Sequence, residues 1–411
     1  MEKRTKVLLL FPHYNSINQP SGLRSTQIGL FLSRKGYDVT AIAPGVELRA
    51  QKLYPEVKGK LYSDIMDEGV RVLRPWSMEN FRSSMPRRFL FECLFAAGAS
   101  LLMFKAGRPD VVIGAYPPAV LPGAGLLISK LRRVPFFFEV RDLMADALEA
   151  NKYSRSKFFI KAAKFVENTI YKRSDHIITV SDGIKKAIIE KGHSPDKITV
   201  VKNGYEPQVF QDPDTSINPR EEFGWGDRFV AVYAGGLTQS YDIMTLLKTA
   251  ETTRDDPEIF YAIIGDGEKK ASYQQYCRDK KLDNVQFIDS KPRKMIPTIL
   301  SAANVGVHLF PDDPLWEYVL GNKPFDYLGS GIPMIYAGRG DTADLVINGN
   351  AGFAVTPESP DEFAEKIRWL KDNPDKARQM GENGREYVRS EFDRFKLLEY
   401  LEEAILSFTE K

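Results

Sequence analysis

The sequence predicts an α/β protein of two doubly wound, Rossmann-like domains that face each other across a cleft. Three observations predict this fold. The chain has 411 residues, more than one hydrophobic core usually supports. Short uninterrupted apolar segments alternate with helical patterns, which is typical of parallel sheets covered by helices on both faces. The alternation stops at one aperiodic polar stretch and then starts again, so we expect two such sheets in succession.

The first series of strands begins near the amino terminus. Residues 6–11 form an unbroken hydrophobic strand, and residues 25–35 follow with helical spacing. Further short buried strands are predicted at residues 39–43, 111–114, 136–140, 176–180 and 198–201. Because right-handed crossovers dominate between parallel strands, the expected form is one doubly wound sheet.

The second series follows residues 211–227 (QDPDTSINPREEFGWGD), which lack hydrophobic periodicity and form the predicted linker region. Strands are predicted at residues 229–233, 260–264, 285–288, 305–309, 333–336 and 352–355. A strongly periodic amphipathic helix is predicted at residues 395–408. We therefore expect a first domain at 1–205, a second at 206–390, and a C-terminal helix at 391–411 that packs back toward the first domain.

Composition and charge argue against several classes of protein. The formal net charge is +2 and no basic run resembles a reader of phosphate backbones, so no nucleic acid partner is expected. Cys93 and Cys277 are too far apart in sequence to suggest a disulfide framework or a zinc site. The four histidines show no metal-ligand spacing, so no metal site is predicted. The apolar start lacks a small-residue cleavage site, which favours a buried strand over a signal peptide. We therefore expect a cytoplasmic location.

One apolar segment raises the question of a membrane. Residues 89–104 (FLFECLFAAGASLLMF) are too short to span a bilayer, and a buried core helix is one interpretation. The alternative is a helix in the membrane interface, with the preceding Arg87 and Arg88 at the headgroups. The region from Arg71 to Arg108 carries seven Lys/Arg and two Glu. Such a patch would suit an anionic membrane or a phosphate-bearing acceptor.

Gly235 and Gly236 mark a first candidate binding site. They follow the predicted strand at 229–233 and precede a predicted helix at 243–250. Glycine at such a position lets the backbone approach an anion, and the helix N-terminus supplies amide hydrogens. A plain tight turn explains the same two glycines equally well.

Lys323 and Asp326 mark a second candidate site, at the start of a predicted helix over residues 324–328. A cation is unfavourable at a helix start unless an anion is also present. A carboxylate one turn on can accept hydrogen bonds from the two hydroxyls of a ribose. The alternative is that Asp326 only complements the helix dipole.

Two loops of the first domain are further candidates. Gly22 lies between the first strand and the first helix, and Arg141 and Asp142 directly follow the strand at 136–140. Ligands of doubly wound sheets bind at the carboxyl ends of the strands, where both loops are predicted. A surface ion pair is the rival explanation for Arg141 and Asp142.

Taken together, these features resemble a family. The chain is similar to the GT-B glycosyltransferases of retaining family four, and within it to the bacterial branch that makes surface polysaccharides, including transferases of acetamido-fucose and similar aminosugars. The resemblance runs along nearly the whole chain. It rests on the Gly22 loop, FEVRDL (138–143), VVKNGYEPQVF (200–210), YAGGL (233–237), IIGDGEKK (263–270), NVQFIDSKPRKMIPTILSAANVGV (284–307) and NKPFDYLGSGIPMIYAG (322–338).

The resemblance implies a metal-independent enzyme whose donor substrate is a nucleotide-sugar, expected to be a UDP-sugar, and whose acceptor is a glycan or polyprenyl-linked sugar. It implies that Arg141, Asp142 and Lys323 take part in catalysis. The nucleotide-sugar would be bound by the loops and helix starts already described and by the ends of two further strands. These implied binding residues are Gly22, Gly235, Gly236, Ile288, Ser290, Lys323, Asp326, Asp341 and Thr342.

The chain departs from the family pattern in three places. The first glutamate of the family's spaced pair is replaced by Tyr318, with Glu317 one residue away. Residues 238–242 (TQSYD) lack the arginine and lysine that commonly follow the second-domain glycines. A cleft histidine near Arg141 is also missing from the sequence pattern. Stabilisation of the leaving diphosphate would then depend on Lys323 and helix-end amides.

Three other functions remain open at this point. A sugar-nucleotide epimerase can share the two-domain architecture. A nicotinamide dehydrogenase is less favoured, because no G-x-G-x-x-G follows the first strand. A nucleotide-binding protein without turnover would explain the missing cations.

Overall fold

A computed structural model describes residues 4–14, 23–47, 50–150, 157–211 and 213–410. The chain divides into a first unit, Met1–Val201 with Phe395–Lys411, and a second unit, Lys202–Arg394. Each unit contains its own largely parallel sheet with helices in the connections. The doubly wound α/β fold predicted from the sequence is therefore confirmed.

The first unit contains a large mixed sheet and a short hairpin. Its strands are β1 (Lys6–Leu10), β2 (Asp38–Ile42), β3 (Val46–Glu47), β4 (Lys52–Leu53), β5 (Tyr62–Asp67), β6 (Val70–Pro75), β7 (Val111–Tyr116), β8 (Phe136–Val140), β9 (His176–Thr179) and β10 (Ile198–Val200). The sheet order is β10-β9-β8-β7-β1-β2-β6-β5, and β3 pairs with β4. Only the β5–β6 pairing of the large sheet is antiparallel among the described residues.

Helices connect these strands. They are α1 (Leu23–Arg34), α2 (Met85–Lys105), α3 (Val120–Arg132), α4 (Met144–Ala150), α5 (Lys157–Arg173) and α6 (Asp182–Glu190), with 3₁₀ turns at Pro55–Val57, Phe81–Ser83 and Pro195–Lys197. Since β7, β8 and β9 are neighbours in both sequence and sheet, right-handed crossovers place their connecting helices on one face.

The antiparallel edge of this sheet was not predicted. β5 and β6 are joined by Glu68 and Gly69, which both have positive φ, 45° and 86°. Positive φ at both central residues is the geometry of a type I′ hairpin turn. That turn usually carries Asn-Gly or Asp-Gly, so Glu-Gly gives a weaker signal in the sequence.

The second unit contains a six-stranded parallel sheet. Its strands are β11 (Phe229–Ala234), β12 (Ile259–Ile264), β13 (Val285–Ile288), β14 (Val305–Leu309), β15 (Met334–Ala337) and β16 (Gly352–Val355), in the order β13-β12-β11-β14-β15-β16. Its helices are α7 (Pro207–Gln211), α8 (Pro219–Glu222), α9 (Ile243–Thr252), α10 (Lys270–Lys280), α11 (Ile296–Ser301), α12 (Lys323–Gly329), α13 (Asp341–Asn348), α14 (Pro360–Asp372) and α15 (Pro374–Glu391), with 3₁₀ turns at Arg293–Met295 and Pro314–Tyr318. β12 and β14 are buried along their whole length, as expected of strands covered on both faces.

The C-terminal helix α16 (Arg394–Thr409) belongs to the first unit from Phe395 onward. Its apolar residues Leu398, Leu401 and Ile405 recur at helical spacing and join the cluster formed by β1 and β2. The last helix of the chain therefore completes the core of the first unit.

Helix α2 is buried on one face only. Phe91, Phe95, Ala99, Leu102 and Met103 are buried. Five large apolar residues on its other side are 39–73% exposed, namely Phe89, Leu90, Leu94, Leu101 and Phe104. The core-helix interpretation of this segment therefore holds for its inner face alone. Within the described ranges, no helix is long and apolar enough to cross a membrane.

Two arginines of the predicted basic patch are engaged elsewhere. Arg71 donates from two nitrogens to Asp64, at 2.9 and 2.7 Å. Arg74 is buried and donates to the carbonyl oxygens of Pro44 and Tyr14. The patch over residues 71–108 is therefore not one exposed basic surface. Its other cations lie outside β6, several of them on α2.

His176 on β9 is an ionisable group inside the first unit. It is 8% exposed, its Nε2 lies 2.8 Å from Thr199 Oγ1, and its ring packs on Phe137 and Phe408. Burial, and then the positive charges of Lys197 and Lys185, lower the pKa of His176 to about 4. The folded protein therefore keeps this imidazole neutral at pH values where an unfolded histidine is protonated.

This burial predicts a pH-dependent loss of stability. An unfolded histidine binds a proton near pH 6.5, so the contribution is complete above that pH and is lost as the pH falls toward 4. From pH 8 to pH 5, His176 should lower the free energy of unfolding by about 2 kcal/mol. Denaturant unfolding at both pH values should show a smaller pH effect in His176→Asn than in the wild type. An equal pH effect in both proteins would contradict the assignment.

Candidate functional site

The loop after β11 packs backbone against backbone on the loop after β12. The amide of Gly235 donates to Ile264 O at 2.9 Å, and the amide of Leu237 donates to Asp266 O at 2.9 Å. A Cβ atom at Gly265 would lie 1.8 Å from Gly235 O, so only glycine fits there. The Tyr233 hydroxyl donates to Gly236 O at 2.8 Å. These contacts fix the glycine pair at the carboxyl end of the central strand.

Lys323 reaches this loop from the start of α12. Its side chain crosses Gly235 so closely that a Cβ atom there would lie 2.0 Å from Lys323 Cε. Its ammonium lies 3.6 Å from the ring centroid of Tyr241, a cation–π distance. Tyr241 belongs to the segment 238–242, which lacks a cation of its own. The fold therefore brings Lys323 to the segment where the family pattern has an arginine and a lysine.

Lys323 forms no ion pair with a carboxylate of the part of the chain that the structure describes. The second unit therefore presents an uncompensated positive charge beside the glycine pair. An uncompensated cation next to a fixed loop with backbone amides is suited to binding an anion.

A stack of aromatic side chains begins at Tyr241, beside this lysine. Tyr241 stacks on Phe310 with ring centroids 5.5 Å apart, and Phe310 stacks on Trp316 at 4.5 Å. His308 packs beside Phe310 at 4.7 Å. Burial, and then the charge of Lys323, lower the pKa of His308 well below its ordinary value. His308 therefore adds no second positive charge beside Lys323.

Asp326, one turn after Lys323, is held by an arginine that the sequence analysis did not identify. Arg293 donates from Nη1 and Nη2 to the two carboxylate oxygens, both at 2.6 Å. Both side chains are mostly buried, at 14% and 18% exposure. A bidentate pair of this kind fixes the plane of the carboxylate. Asp326 is therefore oriented by Arg293 and does more than complement a helix dipole.

This ion pair continues into a buried network. Glu206 lies 3.6 Å from Arg293 and 3.4 Å from Arg394. Arg394 also donates to Asn322 Oδ1 at 2.6 Å and to Gly204 O at 2.9 Å. Burial alone would lower the pKa of Arg293, but Asp326 and Glu206 overcome it and raise that pKa. The network holds the start of α12 through Asn322 and its first turn through Asp326.

The remaining predicted residues of the second unit have mixed environments. Ile288 ends β13, and its carbonyl accepts from Gly265 at 2.9 Å, so this part of its backbone belongs to the sheet. Ser290 is half-buried two residues later. The buried Thr342 hydroxyl donates to Val319 O at 2.9 Å, and it therefore holds α13 in place. Asp341 is the first residue of that helix.

In the first unit, Arg141 is part of a second buried charge cluster. Its Nε and Nη2 donate to Glu139 Oε2 at 2.9 and 2.6 Å, and its Nη1 donates to Ser25 Oγ. Arg24 donates to Glu139 Oε1 at 2.8 Å. Burial alone would raise the pKa of Glu139, but the two guanidinium groups overcome it and hold that pKa below its usual value. Arg141 is therefore fixed by a buried ion pair, not a surface one.

Two further groups lie near this cluster. Burial, and then the charges of Arg141 and Arg82, lower the pKa of His13 to about 4. Burial, followed by the charge of Glu167, raises the pKa of Asp142 against one opposing backbone hydrogen bond. His13 is thus a neutral imidazole within electrostatic reach of Arg141, where the sequence pattern suggested no histidine. Gly22 lies outside the described residues.

Several of these residues could not be recognised as site residues from the sequence. Glu139 is the exception, because it is the one charged residue in the strand FFFEV. Arg293, Glu206 and Arg394 stand in polar segments where charge is ordinary. Among the described residues, no group of three or more His, Cys, Asp or Glu side chains could hold a metal ion.

The Arg293–Asp326 pair generates a test of stability. Replacing Arg293 by Met leaves a buried carboxylate without its bidentate partner, which should lower the free energy of unfolding by about 3–5 kcal/mol. The double variant Arg293→Met/Asp326→Leu should recover most of that loss, because no charge is left unpaired. The exposed neighbour supplies a control, and Lys294→Met should change stability by less than about 0.5 kcal/mol. Equal, small effects of Arg293→Met and Lys294→Met in urea unfolding would show that the pair does not hold α12.

Two family models match the chain one after the other. The model described as "Glycosyl transferase 4-like domain" matches residues 24–204, and the model described as "Glycosyl transferases group 1" matches residues 216–387. Together they cover most of both units. The chain is also similar to the capsular polysaccharide biosynthesis glycosyltransferase CapM of Staphylococcus aureus, with 24% identity over 332 residues, 78% of this chain and 82% of that protein.

Solved structures show the same fold at low sequence identity. A sucrose-phosphate synthase of Thermosynechococcus elongatus matches with a TM-score of 0.77 and 17% identity over 98% of both chains. HepE of Anabaena, solved in complex with UDP-glucose, matches with a TM-score of 0.70 and 15% identity over 98% of this chain and all of that one. With the two family models and the two doubly wound units, these matches give the family: the chain belongs to the GT-B glycosyltransferases.

Proposed function

We propose that this glycosyltransferase transfers a hexosyl or N-acetylaminosugar residue from a UDP-sugar to a glycan or lipid-linked acceptor during synthesis of a bacterial surface polysaccharide. The observation that carries the proposal is the position of Lys323, whose side chain crosses Gly235 onto Tyr241 and forms no ion pair with a carboxylate of the described residues. The similarity to CapM, a glycosyltransferase of capsular polysaccharide biosynthesis, supports the polysaccharide product, and the UDP-glucose complex of HepE supports the donor. Retaining family four, with its aminosugar branch, is the subgroup we propose.

In this proposal the second unit binds the donor. The diphosphate would lie against Lys323 and the amide of Gly236, because the Gly235 amide is already bonded to Ile264 O. The positions of both glycines are fixed before any ligand arrives. Charge develops on the diphosphate as the glycosidic bond breaks, and preorganised donors are effective where charge develops. Lys323 would thus supply the stabilisation that segment 238–242 lacks.

Asp326 would bind the ribose. Arg293 occupies one direction of each of its carboxylate oxygens, and each oxygen has a further lone pair for a hydroxyl donor. The base would lie at the end of β13, near Ile288 and Ser290. The sugar would point toward Asp341 and Thr342, and Thr342 would contribute its backbone, because its hydroxyl is already bonded to Val319.

The first unit would bind the acceptor through the loop that carries Arg141 and Asp142. The ion pair with Glu139 gives Arg141 one position, from which its remaining donor capacity can orient a hydroxyl or a phosphate. For retention, the acceptor oxygen would attack the anomeric carbon on the face that the diphosphate leaves. Its proton would pass to a donor phosphate oxygen as the carbon–oxygen bond to the diphosphate breaks. This route needs neither a metal ion nor a carboxylate pair.

Other functions have weaker support. An epimerase of the same architecture would not require an acceptor, and both family models describe glycosyl transferases. We also propose a cytoplasmic location, because the free thiols of Cys93 and Cys277 fit a reducing compartment.

Gly235 and Gly236 offer a matched pair of variants for the donor site. Gly235→Ala should displace Lys323, because the new methyl group would lie 2.0 Å from Lys323 Cε. Gly236→Ala meets nothing closer than 3.6 Å. We expect Gly235→Ala and Lys323→Ala each to weaken UDP binding by roughly tenfold, the scale of one charge-assisted contact. Gly236→Ala should weaken it less.

The double variant Gly235→Ala/Lys323→Ala decides whether the glycine acts through the lysine. Its affinity for UDP by titration calorimetry should equal that of Lys323→Ala alone, because the displaced group is already missing. Additive losses would mean that Gly235 contacts the ligand by itself. If the wild type binds none of UDP, GDP, ADP and CDP, the proposed function is overturned.

A further inference from the structure

Three neighbouring helices of the first unit expose apolar side chains. α3 packs against both α2 and α5. We call their exposed sides the outer helical face, which is defined by ten large apolar residues that are 39–83% exposed. These residues are Phe89, Leu90, Leu94, Leu101, Phe104, Leu127, Leu131, Phe158, Phe165 and Val166. Single exposed apolar residues are ordinary, but a cluster of this kind marks an interaction surface.

The exposed large apolar residues of α2 all lie on one side of that helix. At 100° per residue, Phe89, Leu90, Leu94, Leu101 and Phe104 fall within an arc of about 140°. The buried residues of α2 occupy the opposite arc and pack inward. The exposed side is thus an apolar strip that runs from Phe89 to Phe104, along most of the helix.

The same three helices are strongly basic. Their sequences contain ten Lys/Arg and two Glu, which gives a formal charge of +8. One of the glutamates, Glu167 on α5, is buried. Exposed Arg87, Lys105, Lys161 and Lys172 form no ion pair with a carboxylate in the described parts of the chain. On α5, Lys161 lies between Phe158 and Phe165, so that apolar and basic side chains alternate on one surface.

Charge and composition separate the occupants that this face could accept. A second copy would bring the same positive charge against it, and like charges repel at short range. Protein partners bind at surfaces whose centres are depleted in lysine. Exposed Phe and Leu with interleaved Lys and Arg match an amphipathic surface lying in the headgroup region of an anionic bilayer.

We propose that the outer helical face binds an anionic membrane surface, with the side chains of α2, α3 and α5 entering the interface and their lysines and arginines at the lipid phosphates. The surface extends beyond the basic segment at 71–108, because α3 and α5 contribute half of its exposed apolar residues. It uses none of the residues proposed to bind the donor, so it can be tested separately from the proposed function.

Vesicle co-sedimentation of the full chain tests the proposal. Vesicles of phosphatidylglycerol and phosphatidylcholine should bind the wild type, and vesicles of phosphatidylcholine alone should bind it at least about tenfold more weakly, because each basic residue near an anionic surface adds affinity. High salt should release the protein from the anionic vesicles in part. Equal binding to both kinds of vesicle would overturn the anionic preference, and no binding to either would overturn the proposal.

Variants assign the binding to the outer helical face. Leu101→Gln/Phe165→Gln, at two sites that are each 73% exposed, should reduce the partition coefficient for anionic vesicles by at least about tenfold. Tyr400→Gln is the matched control, because Tyr400 is 52% exposed on α16, outside this face. Melting temperature and UDP affinity should be unchanged in both variants, which separates a lost membrane contact from a lost fold. Equal vesicle binding by both variants would overturn the proposal, as would a concentration-dependent dimer in light scattering that only Leu101→Gln/Phe165→Gln abolishes.

Discussion

A buried charge network fixes the start of α12, and the candidate donor site of the second unit depends on it. Arg394 bonds to Asn322, the residue before the helix, and Arg293 holds both oxygens of Asp326 one turn later. Lys323 stands between these two anchored positions. Its side chain can therefore be directed across Gly235, where the absence of a Cβ atom leaves room for it. Without the anchors, the flexible lysine side chain, with its four methylene groups, would populate many conformations instead of this one. The ion pairs matter less for net stability than for orientation, since burial of two charges costs much of what their attraction returns.

The first unit uses the same physical device in another form. Glu139 is buried in β8 and is held between Arg24 and Arg141, so that two positive charges compensate one carboxylate. Arg24 also donates to Val201 O, the last residue of the unit before the chain enters the second. In each unit, a candidate site residue is thus fixed by a buried opposite charge: Arg141 by Glu139 in the strand before it, and Asp326 by Arg293 from a distant segment. Such preorganisation allows a polar group to act on a ligand without first paying for its own reorientation.

Much of the fold could be predicted from the sequence, because parallel strands buried on both faces are written as continuous apolar runs. The strands at 136–140, 285–288, 305–309 and 352–355 have the predicted bounds. The β5–β6 hairpin was missed because its Glu-Gly turn carries a weak signal, and α2 was ambiguous because both of its faces are apolar.

At the candidate site, the glycines next to strands indicated where the loop lies, but they did not indicate which side chains from other segments contact it. Arg293 meets Asp326 across 33 positions, and Tyr241 meets Lys323 across an even longer stretch of chain. Contacts between distant segments have no periodicity, so a single sequence does not reveal them.

The most direct test of this account is hydrogen–deuterium exchange of the full chain with and without UDP. If the nucleotide binds where Lys323 crosses Gly235, UDP should slow the exchange of amides in residues 235–242 and 322–329, because ligand contact and a fixed lysine reduce local opening there. Amides around Arg141 should change less in the absence of an acceptor. Protection confined to the first unit, or protection of the second unit that leaves these two segments unchanged, would contradict the central claim that Lys323 and the glycine loop form the donor site.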